Sequence, residues 1–387
     1  MRAVTRVLHV SVVHRPDDPR IAERECRTLA EAGYEVTFLV PRPPDGAGRE
    51  GGGGAAAGVA CEFLPPRPRR RRFLQAPAIL AAVRRLRPAV VHVHDPELLT
   101  LFPALRPLVP RLVYDMHEYV PEAVAGRHYV PAPLRPAAAA ATAVAQRALA
   151  ALGDGVVTVT AEQLGALGRR PARRVVLPNH PRLERFAAAR PRPDLAADPR
   201  QRLVYVGSLA RNRGCALMLD VMERLAPDEA VLYLGGVFAS PDMEREARER
   251  LAAGLGDRVR LLGRVAPGDL PGVLAAAEVV WVPALPTEQY RHPTVPTKLL
   301  EGLAVGLAAL VSDLPGRGPL VREHGCGLAV PATVEGHLAG VRGLLARRGE
   351  LAAMGARGRE AVAGRYSWET VAPRLVDFYR SLLAGPA

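Results

Sequence analysis

Residues 202–214 read RLVYVGSLARNRG, an apolar run that stops at Gly207 and passes through Arg213 and Gly214 into a helical pattern. What precedes this stretch gives it its weight. Residues 181–201, PRLERFAAARPRPDLAADPRQ, carry prolines and charges that interrupt an earlier alternation of strands and helices. Before the interruption, apolar runs recur at 6–13, 34–40, 89–93, 111–116, 155–160 and 173–179. A helix is expected over 21–32, closed by Gly33. At 202 the alternation restarts, with runs at 202–208, 230–236, 258–263, 278–284 and 307–313. Strands alternating with helices imply a parallel sheet covered on both faces. The expected class is α/β, with two doubly wound, Rossmann-like domains in tandem. The first spans 1–185, a linker covers 186–201 and the second spans 202–366. Ligands of such sheets bind beyond the carboxyl ends of the strands, and two sheets facing each other would enclose a cleft.

Composition fits this plan. The chain has 387 residues, more than one ordinary core holds, and 49% are hydrophobic. A net charge of +13 permits nucleotides, nucleic acid or anionic lipid as partners. The cysteines, Cys26, Cys61, Cys215 and Cys326, are scattered and form no CxxC pair. A zinc site or a disulfide framework is not expected, and a reducing cytoplasm fits best. The start, MRAVTRVLHVSVVHR, reads as a buried strand broken by Arg6, His9 and His14 rather than as a leader. The longest apolar stretch, 137–145, is alanine-rich and reads as a packed helix, so no membrane span is expected. Residues 41–60 are low in complexity and read as a surface loop. Next comes PPRPRRRRF, with Arg67, Arg69, Arg70, Arg71 and Arg72. It reads either as a solvated loop or as a peripheral contact with an anionic surface, such as the inner membrane face. It lacks interleaved aromatics, so nucleic acid is not expected as a partner.

The chemistry concentrates in two places of the second half. Gly207 ends a strand, and Arg213 precedes a helix start, where backbone amides favour phosphate. The pattern is not GxGxxG, so the dinucleotide fingerprint is missing. Residues 292–306, HPTVPTKLLEGLAVG, lie beyond a later strand of the same half. Thr294, Val295, Pro296 and Thr297 lead into a helix start with unpaired amides, and Lys298 adds a charge suited to phosphate. Glu301 stands one turn inside. There it either accepts from the two hydroxyls of a ribose or simply favours the helix dipole and Lys298. Together these residues describe a site for a nucleoside diphosphate.

Several motifs carry a family resemblance. PTKLLEGLAVGLAALVSD resembles the C-terminal signature of retaining GT-B glycosyltransferases of glycosyltransferase family 4, and YVGSLARNRG resembles their diphosphate loop. DPRIAERECRTLAEAGYEVTFLV, VVHVHDPELL, LVYDMHE and VVLPN are similar to motifs of the N-terminal half in one branch of that family. The closing YSWETVAPRLVDFYRSLL resembles its final helices, so residues 367–385 are expected to return to the first domain.

The resemblance implies a metal-independent hexosyltransferase with no cofactor beyond its nucleotide-sugar substrate, UDP first and GDP second. The acceptor class stays open among an envelope glycan, a lipid-linked intermediate and a small natural product. Gly207, Ser208, Arg213, Lys298 and the amides around Val295 would hold the diphosphate, and Glu301 the ribose. His117 matches a histidine that faces the transferred sugar. His94, Asp95 and His14 fall on the acceptor side. Asp95 before Pro96 also reads as a helix cap. Many members carry a second glutamate separated by seven residues from the one matched by Glu301; here that position, eight before Glu301, is Pro293. Glu288, Tyr290 or His292 is the candidate to reach the sugar in its place. Ser208 likewise stands where an arginine is common. An epimerase of the same fold and a non-catalytic nucleotide-sugar binder are the rival readings.

Overall fold

A computed structural model describes residues 4–43, 58–67, 69–117, 131–287, 290 and 293–385. The chain divides into two compact units, 1–179 with 371–387, and 180–370. Residues 186–201, expected as a linker, lie within the second unit. They form the short helices Glu184–Ala187 and Pro193–Ala196, which bury Phe186 and Leu195 in its core. The last helix, Ala372–Leu383, belongs to the first unit and buries Leu375, Phe378, Tyr379 and Leu382.

The first unit holds seven parallel strands: β1 Arg6–Val10, β2 Glu35–Pro41, β3 Val59–Leu64, β4 Val90–Val93, β5 Arg111–Met116, β6 Gly155–Thr158 and β7 Arg173–Val176. Their order is β3-β2-β1-β4-β5-β6-β7. Side chains alternate across a strand, and here the two faces differ in chemistry. Leu8, Val10, Val91, Val93, Leu112 and Tyr114 enter an apolar core. The intervening positions place His9, His92 and Asp115 on the opposite face, fully buried.

The second unit has six parallel strands: β8 Gln201–Val206, β9 Ala230–Gly235, β10 Val259–Gly263, β11 Val279–Val282, β12 Ala308–Ser312 and β13 Gly327–Val330. The order β10-β9-β8-β11-β12-β13 is the doubly wound order, which reverses between β8 and β11. Alternate residues feed two apolar cores, Leu203, Tyr205 and Trp281 on one face and Val204, Tyr233 and Val280 on the other. The first unit reverses between β1 and β4 in the same way. Both reversals fall where the sequence placed its candidate residues. Among the described residues, no helix is long and apolar enough to cross a membrane.

Candidate functional site

In the second unit the site is built from the ends of β8, β11 and β12. Gly207 follows β8 with φ +152°, and a Cβ there would stand 2.7 Å from Lys298 Nζ. Glycine suits that backbone angle and leaves the ammonium room. Lys298 lies in the first turn of the helix Thr297–Val305, whose start carries no side-chain cap. This helix seats tightly on β11: a Cβ on Gly302 would fall 2.5 Å from Val280.

Lys298 Nζ donates to the Tyr205 hydroxyl at 2.6 Å and sits 4.0 Å from that ring's centroid. Tyr205 in turn donates to the Ser208 carbonyl at 2.8 Å. Burial pushes Lys298 down to about 7, and the charges of Arg213 and Arg317 push the same way, with Glu301 opposing them. Burial also raises the Tyr205 hydroxyl, against the neighbouring Arg213. Three cations therefore converge on one tyrosine, at a cost that a bound anion would relieve.

Arg317 is the member that the sequence did not reveal. It follows β12 and the loop DLPG as the first residue of the helix Arg317–His324, and is 2% exposed. Its guanidinium lies 4.8 Å from the Tyr290 ring centroid, and its Nε is buried without a hydrogen-bond partner among the described residues. The loop is placed by Gly316, where a Cβ would come 2.7 Å from the Thr294 carbonyl oxygen. Thr294, Val295, Pro296 and Thr297 are half-buried and run into the helix start, and Glu301 is half-buried one turn on. Glu288 and His292 lie outside the described residues.

A neutral imidazole braces this end of the sheet. Trp281 Nε1 donates to His337 Nδ1 at 3.0 Å, so His337 Nε2 carries the proton and donates to Ser312 Oγ at 2.9 Å. Ser312 Oγ also accepts from the Ala284 amide at 3.0 Å. Burial holds His337 down at about 4.

In the first unit, Asp95 does not cap the helical turn after it; it makes no side-chain cap bond. Its carboxylate accepts from Ser11 Oγ at 2.9 Å and from the Val12 amide at 2.6 Å, and so ties the end of β4 to the loop after β1. His14 Nδ1 lies 2.8 Å from Asp18, and its Nε2 lies 3.6 Å from Asp95. Burial lowers the His14 pKa, but the Asp18 hydrogen bond and the nearby carboxylates outweigh it and the net shift is upward.

His117 Nε2 lies 2.6 Å from Asp115 Oδ2. Arg20 grips both oxygens of Asp115, at 2.9 and 3.0 Å. Burial alone would raise Asp115, yet Arg20 and His117 hold it well below the usual carboxylate range. His94 stands behind, 3.2 Å from both Asp115 and His117, and burial pushes it down to about 4. His14 and His117 meet edge to face at 5.2 Å between centroids and are the partly exposed members of this group. Arg20, Asp115 and the histidines on the strands were not singled out by local pattern. The spacing HVHD, which puts His92 and His94 on one face, was the available signal.

The comparisons with known proteins fit this geometry. The Glycosyltransferase Family 4 model matches residues 20–194, and the model for glycosyl transferases group 1 matches residues 200–347. The chain belongs to this glycosyltransferase family and has its GT-B architecture, two Rossmann-like units in one polypeptide. It is 30% identical over 204 residues to a D-inositol 3-phosphate glycosyltransferase of Segniliparus rotundus, covering 51% of this chain and 43% of that one. It is 27% identical over 260 residues to a GDP-mannose-dependent alpha-(1-6)-phosphatidylinositol monomannoside mannosyltransferase of Mycobacterium tuberculosis, covering 61% and 65%. The chain thus spans less than two thirds of these curated relatives. Among solved structures, sucrose-phosphate synthase from Thermosynechococcus elongatus aligns with a TM-score of 0.74 at 20% identity, over 98% of this chain and 99% of that one. Anabaena HepE in complex with UDP-glucose aligns with a TM-score of 0.71 at 14% identity, over 97% and 99%.

Proposed function

We propose that this chain is a retaining glycosyltransferase that takes a sugar from a nucleotide-diphosphate sugar. The cluster of Arg213, Lys298 and Arg317 around Tyr205 carries the reading. It is a preformed positive site at a topological switch point, where the doubly wound fold binds ligands. In the reaction, the diphosphate gains negative charge as the bond to the sugar breaks. The three cations stabilise that charge without reorganising. Glu301, one turn along the same helix, accepts from the ribose hydroxyls. Ser208 stands where an arginine is common in the family, and Arg317 compensates for it.

Pro293 offers no carboxylate for a covalent glycosyl-enzyme. Attack on the face from which the diphosphate leaves, with that phosphate taking the acceptor proton, is the route these residues favour. The acceptor belongs to the first unit, where the partly exposed His14 and His117 are held by Asp18 and Asp115. The side chains of Arg69 and Arg70 lie outside the described residues. The exposed Arg67, Arg71, Phe73 and Leu74 suit peripheral contact with an anionic membrane.

A thermal-shift panel of UDP, GDP, ADP and dTDP tests the donor site, because a ligand that binds only the native state raises its melting temperature. At least one nucleotide is expected to do so, UDP first and GDP second. A flat response to all four would remove the basis of the reading.

A further inference from the structure

The inner face of the first sheet holds a cluster that, His94 apart, sugar transfer does not use. His9 on β1 and His92 on β4 are register partners, with ring centroids 4.7 Å apart. His94 follows on the same face, 4.7 Å from His92 and 5.1 Å from His9. Glu25 descends onto them from the helical segment Ile21–Cys26. One ligand atom from each of these four residues lies within 4.8 Å of the others, and all four are buried.

The hydrogen bonds of this cluster are one-sided. His92 Nδ1 lies 2.8 Å from the Tyr379 hydroxyl, His9 Nε2 lies 3.4 Å from the same hydroxyl, and His94 Nδ1 lies 3.2 Å from Asp115. Each contact engages one nitrogen outward and leaves the other, His92 Nε2, His9 Nδ1 or His94 Nε2, for the centre. His9 Nδ1 and His94 Nε2 stand 2.8 Å apart there. Both Glu25 oxygens and His92 Nε2 are buried with no hydrogen-bond partner among the described residues. Arg20 Nε is 3.2 Å from Glu25, but that guanidinium already makes two hydrogen bonds to Asp115. The contact between His9 Nδ1 and His94 Nε2 takes one proton between them, so the open acceptors of the centre, among the described residues, are His92 Nε2 and the Glu25 oxygens. Left so, each buried acceptor costs free energy.

We propose that His9, Glu25, His92 and His94 hold a divalent cation of the zinc class. Imidazole and carboxylate ligands suit zinc, whose bonds of about 2.0–2.1 Å set tetrahedral ligand atoms about 3.3 Å apart. The ligand atoms of the present group lie within 4.8 Å of one another, close to that spacing. The outward contacts to Tyr379 and Asp115 are the support that ligating histidines require for ring orientation. Four protein ligands close the site, so its role is structural. It ties β1, β4 and the first helix together and fixes His94, whose other nitrogen faces Asp115 and His117.

The test uses the full chain, produced with added zinc and dialysed against metal-free buffer. About one metal ion per chain is expected by elemental analysis. Stripping with dipicolinate is expected to lower the melting temperature, and zinc to restore it. Cobalt loading is expected to give the visible bands of a four-coordinate ion, weakened or absent in Glu25→Gln and His92→Phe. Because either substitution can unfold the unit, the wild-type cobalt spectrum decides. No bound metal, no cobalt bands and no response to chelator would overturn the proposal and make Glu25 a buried neutral acid.

Discussion

Lys298 shows what the proposed donor site costs the folded chain. Its ammonium is held at about 7 by burial and by Arg213 and Arg317. The folded chain therefore releases a proton that the unfolded chain keeps up to the ordinary lysine range, so this group's contribution to stability rises with pH above about 7. A bound diphosphate reverses the shift. Affinity for UDP-glucose, or for whichever nucleotide sugar binds, is expected to fall as pH rises above 7, by up to about tenfold per unit. The diphosphate of a nucleotide sugar does not itself titrate there. Lys298→Met is expected to flatten that profile, weaken binding and yet raise the melting temperature, by roughly 2–4 °C for each kcal/mol relieved. Calorimetry from pH 6 to 9 and thermal unfolding check both; a pH-independent affinity in the wild type would contradict the assignment. Arg213 was singled out in the sequence by its place between a strand and a helix, and Lys298 and Glu301 by sharing one helix turn. Arg317 was not, because its role depends on being buried against Tyr290 and near Tyr205, residues distant in the chain. Asp95 was legible as a polar residue at a strand end, but its partners, Ser11 and Val12, come from another strand's loop.

At the scale of elements, the helix Thr297–Val305 sets the position of Lys298 and Glu301, and Gly302 sets how closely that helix approaches β11. Gly302→Ala places a methyl 2.5 Å from Val280, so the helix has to move outward. A destabilisation of about 1–3 kcal/mol is expected, together with weaker nucleotide binding. Urea unfolding and calorimetry measure the two. Full nucleotide affinity in Gly302→Ala would mean that the seating of this helix does not position the site. Elements were mostly legible. The alanine-rich run at 137–145 lies within the helix Arg135–Ala150 but is not packed as expected, since Gln146 and Ala150 alone of that helix are buried; the expected helix over 21–32 is found as a π-helical segment, Ile21–Cys26, continued by Arg27–Glu31. The segment 186–201 was misleading because prolines and charges mark exposed turns equally well in a linker and in short helices. The buried Phe186 and Leu195 are too few to form a visible period.

For the whole molecule, the alternation of apolar runs carried the fold, since a doubly wound sheet is written into sequence order strand by strand. Each strand order reverses once near the middle, and both candidate sites sit at those reversals. The histidine face of the first unit was beyond local reading. His9, Glu25, His92, His94 and Tyr379 come from separated parts of the chain, and only the register of β1 with β4 and the return of the last helix assemble them. The proposed site in the second unit receives a nucleotide diphosphate between Arg213, Lys298 and Arg317. Isothermal calorimetry of the full chain with the nucleotide chosen by the thermal panel tests it most directly, comparing wild type, Arg213→Ala, Lys298→Ala, Arg317→Gln and His117→Ala. Saturable binding is expected in wild type and His117→Ala, and a loss of about tenfold or more in each of the other three, the scale of one charge-assisted contact. Binding that is absent from the wild type, or unchanged in all three cation variants, would contradict the claim.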